Sequence, residues 1–435
     1  MNELFSPRAV RQRWLDVEAA LAQAEAACGM VPDAAASAIT AAARLDALDY
    51  DQIMAGERAA GHVMVPVVSA LADAAGPEHG GWVHWGATTQ NIQQTGNTVG
   101  LGEAHRRLVG QLERVLLVLA DLAERHARTP MAGRTHGQHA VPITFGYKAA
   151  VWADVLARHL ERMRQAEPRL LVALVGGAAG TFATFGADGP AIQDGVASRL
   201  GLGSMPIPSR AIADHFAEWI GILGLIAATA QSIAEEVIRL MSSEFGEVAE
   251  SLPPGDVGSS TMPQKRNAKG SMDIVSAAIE ARGLVPVALE ATIHAHEVDG
   301  SRSAVMDRAL ERSAVLLDGI LTRLEGVLSG LRINQERMAA NLGLTGGMIT
   351  AEAVMMRLAA VLGRQEAHTV VHHAAKHAAL DGVDFADALR EVPLIVDNLT
   401  PTEIDDLLDP LGHLGLSAEL ATQTAGRVRA LVSAD

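Results

Sequence analysis

Cysteine occurs once, at Cys28, which excludes an intrachain disulfide framework. It falls on the apolar face of an expected helix, where an inert core thiol is its ordinary role. Charged side chains are scarce, 20% of 435 residues against 49% apolar. So little charge with so much Ala, Leu and Val implies extensive buried surface, part of it between subunits, and excludes general disorder. No apolar run is long enough to span a bilayer: the longest, Trp219 to Ala230, reads as a buried helix. The first residues, MNELFSPRAVRQRW, lack the apolar core of a signal peptide. No membrane partner is expected, and the expected location is cytoplasmic. Base is outnumbered by acid, giving a net charge of −16, which argues against a nucleic-acid partner. The phosphate loop GxxxxGK[ST] does not occur, and no internal repeat is evident.

What is present is helical periodicity. Val10, Trp14, Val17, Leu21 and Ala24 recur at threes and fours between Pro7 and Gly29, and Leu112, Val115, Leu116, Leu119 and Leu122 repeat the pattern. Residues 146–175, 210–250 and 270–330 are long, Ala/Leu-rich and nearly free of breakers. Helices of that length need partners along their whole extent, and a long bundle supplies them. Strand signals are few. The expected fold is all-α in three helical domains: residues 1–105, a central long-helix bundle over 106–345, and 346–435. Breakers cluster at 76–81, 129–143, 176–189, 201–209, 251–263 and 342–347; these are the expected loops, and the chemistry is expected there.

Three segments carry it. GDVGSSTMPQKRNAKG, residues 255–270, has no hydrophobic period; its glycines, hydroxyls and cations suit a loop closing on an anionic substrate, although a polar connecting loop has a similar composition. In GRTHGQHAVPITFG, residues 133–146, His136 sits among small loop residues, a setting that suits a histidine acting as acid or base, while His139 reads as a structural hydrogen-bonding histidine. HWGATTQNIQQTGN, residues 84–97, is dense in hydroxyls and carboxamides that suit carboxylate recognition; Thr88 or Asn91 fits equally as a helix N-cap. The helical histidines His368, His372, His373 and His377 read as surface or interface residues, since no further ligands accompany them in a recognisable pattern.

GSSTMPQKRN resembles the signature loop of the fumarase/aspartase superfamily, close to GSSxMPxKxN. The other two segments resemble its other shared regions, in the same order, and look like the branch holding adenylosuccinate lyase and 3-carboxy-cis,cis-muconate cycloisomerase. The likeness runs along almost the whole chain, from LFSPRAVRQRWLDVEAALAQAEAACGMVP to MAANLGLTGGMITAEAVMMRLAAVLGRQEAH. It implies a homotetramer with each active site shared by three subunits, a small-molecule carboxylate as substrate, and no metal or other cofactor. It also implies proton removal beside a carboxylate and expulsion of a group from the neighbouring carbon, usually releasing fumarate. Ser259 matches the catalytic base and His136 the proton donor. Lys265 and Asn267 match the groups binding the dianionic intermediate; Thr88, Thr89, Gln90, Asn91, Thr135, Gln138, Ser260, Met262, Arg266 and His62 match further substrate contacts.

Departures narrow the substrate. The phosphate-holding positions of adenylosuccinate lyases fall near Leu4–Phe5 and at Gly61–His62–Val63, where only the histidine remains, so a phosphate lacks its charged donors. Met272 stands where a glutamate commonly pairs with the acid histidine. Two arginines common in the cycloisomerases are replaced at Ala213 and Val298, leaving Arg210 and Arg302 as candidates to compensate. The reading is a β-elimination lyase cleaving a succinyl-type adduct, an N-substituted aspartate, to fumarate and an amine. The alternative is a lactonising enzyme of the muconate cycloisomerase type, followed by adenylosuccinate lyase or a catalytically silent relative.

Overall fold

The computed structural model describes residues 1–251, 261–262 and 264–434; Ser259 and Ser260 lie outside them. The chain divides into two compact units, each assembled from three stretches. The first comprises residues 1–111, 159–228 and 277–320; the second comprises 112–158, 229–276 and 321–435.

The first unit begins with α1 (Pro7–Ala27), α2 (Asp33–Ala42), α3 (Tyr50–Ala60) and α4 (Met64–Ala75). Helix α1 starts where Ser6 Oγ accepts the Ala9 N–H, with Pro7 at N1, and stops at Cys28–Gly29, Gly29 having a φ of 74°. Trp14, Val17, Leu21 and Ala24 form its buried stripe, packed with Ile39, Ile53, Val67 and Leu71. Two longer helices follow, α5 (Thr89–Arg125) and α6 (Phe145–Leu170), then α7 (Gly189–Leu200), α8 (Asp214–Met241), α9 (Lys269–Ala291) and α10 (Gly300–Ser329). The division between units cuts α5, α6, α8, α9 and α10. Position 105 falls inside α5, so the stripe expected from Leu108 is the second half of a helix about 55 Å long. Helix α8 is apolar enough to resemble a membrane span, yet 61% of its apolar window is buried inside the protein.

The second unit ends in α11 (Gln335–Leu342), α12 (Ala351–Leu362), α13 (Arg364–Asp381), α14 (Phe385–Arg390), α15 (Pro393–Val396), α16 (Pro401–Leu408) and α17 (Ser417–Val432). Val354, Leu358, Val371, Phe385, Leu389 and Ile404 build its C-terminal core. On α13 the His368 and His372 rings stack at 6.0 Å, and His377 bonds Asp381 and Glu391. Among the described residues no three His, Cys, Asp or Glu side chains are grouped to hold a metal.

The fold is all-α with minor sheet. Two expectations are corrected. Residues 129–143 form a hairpin rather than a loop: β1 (Pro130–Thr135) pairs antiparallel with β2 (Gln138–Thr144), with a bulge between Ala132 and Arg134. Pro130 and Pro142 are tolerated because a two-stranded ribbon is all edge. The stretch 270–330 is two helices, not one. The remaining strands are two-residue pieces: β3 (Val172–Ala173) with β4 (Gly203–Ser204), parallel, and β5 (Val248–Ala249) with β6 (Arg332–Ile333), antiparallel.

Candidate active site

In the first unit, the start of α5 and the facing stripe of α10 enclose a cavity of ≈ 330 Å³. Gln90, Gln94 and Asn97 recur at helical spacing along α5; Ser303, Asp307 and Leu310 do the same along α10. Gln90 joins them at one end, its Nε2 donating to Ser303 Oγ at 3.3 Å. At the other end Asn97 Nδ2 donates to Asp307 Oδ1 at 3.2 Å. The Asp307 side chain reaches solvent, yet the protein crowded around it pushes its pKa up to about 6.

Arg210 closes the cavity above Gln90. Its Nε and Nη2 donate to Gln90 Oε1 at 3.1 and 3.0 Å, and its Nη1 donates to the Ala178 carbonyl at 2.9 Å. All these acceptors are neutral. Burial lowers the Arg210 pKa, and the cavity wall there carries a positive charge that is bonded to no carboxylate among the described residues. Arg302, the other arginine expected to compensate, is bonded to Glu290 at 2.9 Å. Of these two arginines, Arg210 is thus the one available to an anion.

Of the sequence-predicted residues, His62, Thr89 and Gln90 line this cavity. His62 Nδ1 accepts the Met64 and Val65 N–H groups at the start of α4, which leaves Nε2 to carry the ring proton. Thr88 and Asn91 sit just outside. Asn91 is fully buried, and its Oδ1 accepts the N–H groups of Thr88 and Gly177, both at 3.1 Å. It thereby ties the loop after β3 to the start of α5. His294 also lines the cavity; its Nδ1 accepts the Asp299 N–H at 3.0 Å, and burial, with Arg302 nearby, lowers its pKa. Ser303, Asp307 and His294 were missed by sequence reasoning. The signal was a pair of polar residues at helical spacing, Ser303 and Asp307, on one face of α10.

In the second unit the hairpin presents Thr135, His136, Gly137 and Gln138 at an exposed tip. The two-residue turn, His136 at φ 53° and Gly137 at φ 78°, has the left-handed geometry of a type I′ hairpin turn. A left-handed histidine is uncommon, and it persists because the strands behind it are fixed. Arg134 Nη2 and Nη1 bond Glu247 at 2.6 and 3.0 Å, Asn341 Nδ2 bonds the same carboxylate at 2.7 Å, and Glu247 is fully buried. His139 is held beside Arg134; burial and that cation lower its pKa, and its buried Nδ1 has no hydrogen-bond partner among the described residues.

Of the signature segment, Met262, Lys265 and Arg266 are exposed and Asn267 is half-buried just before α9. The Glu250 carboxylate anchors that helix start, accepting the Gly270 N–H at 3.1 Å and the Ser271 N–H and Oγ–H at 2.9 and 2.6 Å. An anion at a helix N-terminus satisfies otherwise orphaned donors. Met272 is exposed on α9, and its neighbour Asp273 pairs with Arg323 at 3.6 Å.

Comparison with known proteins decides the family. Residues 1–283 match the model described as lyase, and residues 347–424 match the adenylosuccinate lyase C-terminus. This chain belongs to the fumarase/aspartase superfamily of lyases. The lyase is 39% identical to the 3-carboxy-cis,cis-muconate cycloisomerase of Pseudomonas aeruginosa, over 95% of this chain and 91% of that one. It is 35% identical to the N-acetyl-S-(2-succino)cysteine lyase of Enterococcus italicus, over 96% and 92%. Its fold superposes on the fumarate lyase from Mesorhizobium sp. BNC1 with a TM-score of 0.91, covering 98% and 97% of the chains at 35% identity.

Proposed function

We propose that this enzyme eliminates fumarate from a succinyl-type adduct, in the first place an N-substituted aspartate, through a carbanion stabilised as a dianionic aci-carboxylate. Ser259 removes the proton beside a carboxylate. A serine acts as a base only where cations and backbone donors stabilise its alkoxide, and Lys265 and Arg266 stand in the same segment. Lys265 and Asn267 bind the charge that develops on the carboxylate, and His136 delivers the proton that the departing nitrogen needs. Ser260, Met262, Thr135, Gln138, Thr88, Thr89, Gln90, Asn91 and His62 complete the substrate's surroundings. The working form is a cytoplasmic homotetramer in which three subunits contribute to each site. Leu225, Ile279, Val287 and Leu289 support it as exposed apolar side chains on α8 and α9, surface of the kind a stable subunit interface covers.

The observation carrying this reading is the cavity in the first unit, where Arg210, bonded to no carboxylate among the described residues, stands beside Thr89, Gln90 and His62. A panel of aspartates substituted on nitrogen, with the matching thioethers, is incubated with the enzyme and followed by fumarate absorbance. Turnover by the wild type, falling by orders of magnitude in Ser259→Ala, is the expected result; no turnover across the panel in either direction refutes the reading. A lactonising reaction on 3-carboxymuconate is the second reading, favoured by the 39% identity to the Pseudomonas aeruginosa cycloisomerase. Loss of muconate absorbance without fumarate release selects it.

A further inference from the structure

We propose that Arg210, seated by Gln90, binds a carboxylate carried by the leaving half of the substrate, so that the group released with fumarate is itself a monocarboxylic acid of the amino-acid or N-acylamino-acid class. This rests on the elimination reading above and adds the leaving group's chemistry.

Three observations converge. Gln90 Oε1 and the Ala178 carbonyl take three of the five guanidinium N–H donors of Arg210. Two donors and the full charge remain, the complement of one carboxylate. Both acceptors are neutral, so they orient the guanidinium without cancelling its charge. Among the described residues, those lining the cavity include two histidines, His62 and His294, and no lysine or other arginine. Burial, with Arg302 nearby, lowers the His294 pKa and so disfavours its charged form.

The far end of the cavity sets the upper limit on charge. Asp307 is bonded to Asn97, which lies seven residues along α5 from Gln90, about 10 Å at helical rise. With its pKa near 6 this carboxyl is mostly ionised at neutral pH. It repels a second anionic group and accepts N–H donors, such as an ammonium or an amide. A phosphate monoester, which carries nearly two charges and needs several charge-assisted donors, meets one arginine and one acid here. An amino acid or its N-acyl derivative meets a partner at each end.

The test measures binding of the leaving groups themselves, independently of turnover. N-acetylcysteine, alanine, their carboxamides and adenosine monophosphate are titrated calorimetrically into the intact protein in the presence of fumarate. At least one acid is expected to bind the wild type more tightly than its carboxamide. Arg210→Gln should weaken the acids about ten- to a hundredfold and the carboxamides less than about twofold, and Arg210→Lys should keep part of the discrimination. Thermal melts of both variants separate this from misfolding. Equal binding of acids and amides by the wild type overturns the proposal. So does an equal loss for both in Arg210→Gln, or adenosine monophosphate binding more tightly than every acid. Discrimination between acid and amide with no turnover of any succinyl adduct leaves Arg210's role standing and sinks the elimination reading alone.

Discussion

Glu247 holds the strands that carry His136, and removing it is the sharpest probe of that support. Its carboxylate is fully buried and accepts two N–H groups of Arg134 and one of Asn341. The Arg134 side chain is only 14% exposed and lies over the Phe245 ring at 4.8 Å. Glu247→Ala therefore leaves a largely buried guanidinium without its anion, while the Asn341 amide keeps only its bond to the Phe245 carbonyl. Breaking one side of a buried pair costs about 3–5 kcal/mol. Removing both partners abolishes the uncompensated charge, so Glu247→Ala/Arg134→Ala should be less damaging than the sum of the single changes by about 2 kcal/mol or more. Denaturant unfolding of the four proteins measures that coupling. Amide hydrogen exchange adds a local readout: residues 130–144 should lose protection in Glu247→Ala while the α12–α13 core keeps it. Additivity of the two substitutions within about 0.5 kcal/mol, or unchanged exchange in the hairpin, would refute the argument that this pair fixes the His136 turn.

Two further outcomes follow from the same geometry. Glu25 is fully buried on α1 with both carboxyl oxygens unpartnered among the described residues, and burial, with Glu18 nearby, pushes its pKa up to about 9. A raised pKa means that its stabilising protonated form is fully effective below the unfolded value, 4.5, and is progressively lost as pH rises towards 9. Glu25→Gln, which cannot ionise, should flatten the fall in melting temperature between pH 5 and 9 (roughly the limits of that window) and be the more stable protein at its alkaline end; parallel pH profiles would be the contrary result. Gly133 sits at the β1 bulge, where a Cβ would come within 2.6 Å of the Val141 carbonyl oxygen. Gly133→Ala should cost about 1–3 kcal/mol and disturb the hairpin, visible in its amide exchange; wild-type stability and exchange would contradict it.

Much of the helical framework was legible in sequence because its cause is local. Trp14, Val17, Leu21 and Ala24 are spaced for one helical face, and Gly29 provides the left-handed stop. Where local cause was lacking, sequence reading fell short. The hairpin was hidden by Pro130, Gly133 and Pro142, residues that discourage strands; an edge-only ribbon with a bulge accommodates all three. The break between α9 and α10 has neither proline nor a glycine stop to announce it. Side chains close it instead, Thr292 donating to the Leu289 carbonyl and His294 Nδ1 accepting the Asp299 N–H.

The candidate site shows the same split. Sequence by itself determined the all-α framework, the three chemical segments and, through GSSTMPQKRN, the class of reaction to expect, because motif chemistry is carried by neighbours in the chain. Only the tertiary structure decided which cation is free for a ligand. Arg210 and Arg302 were equal candidates in sequence; Glu290 and Asp299 neutralise one, while Gln90 and Ala178 merely orient the other. Whether an arginine is spent on a carboxylate depends on contacts between residues 120 and 32 positions apart, and no local pattern encodes those.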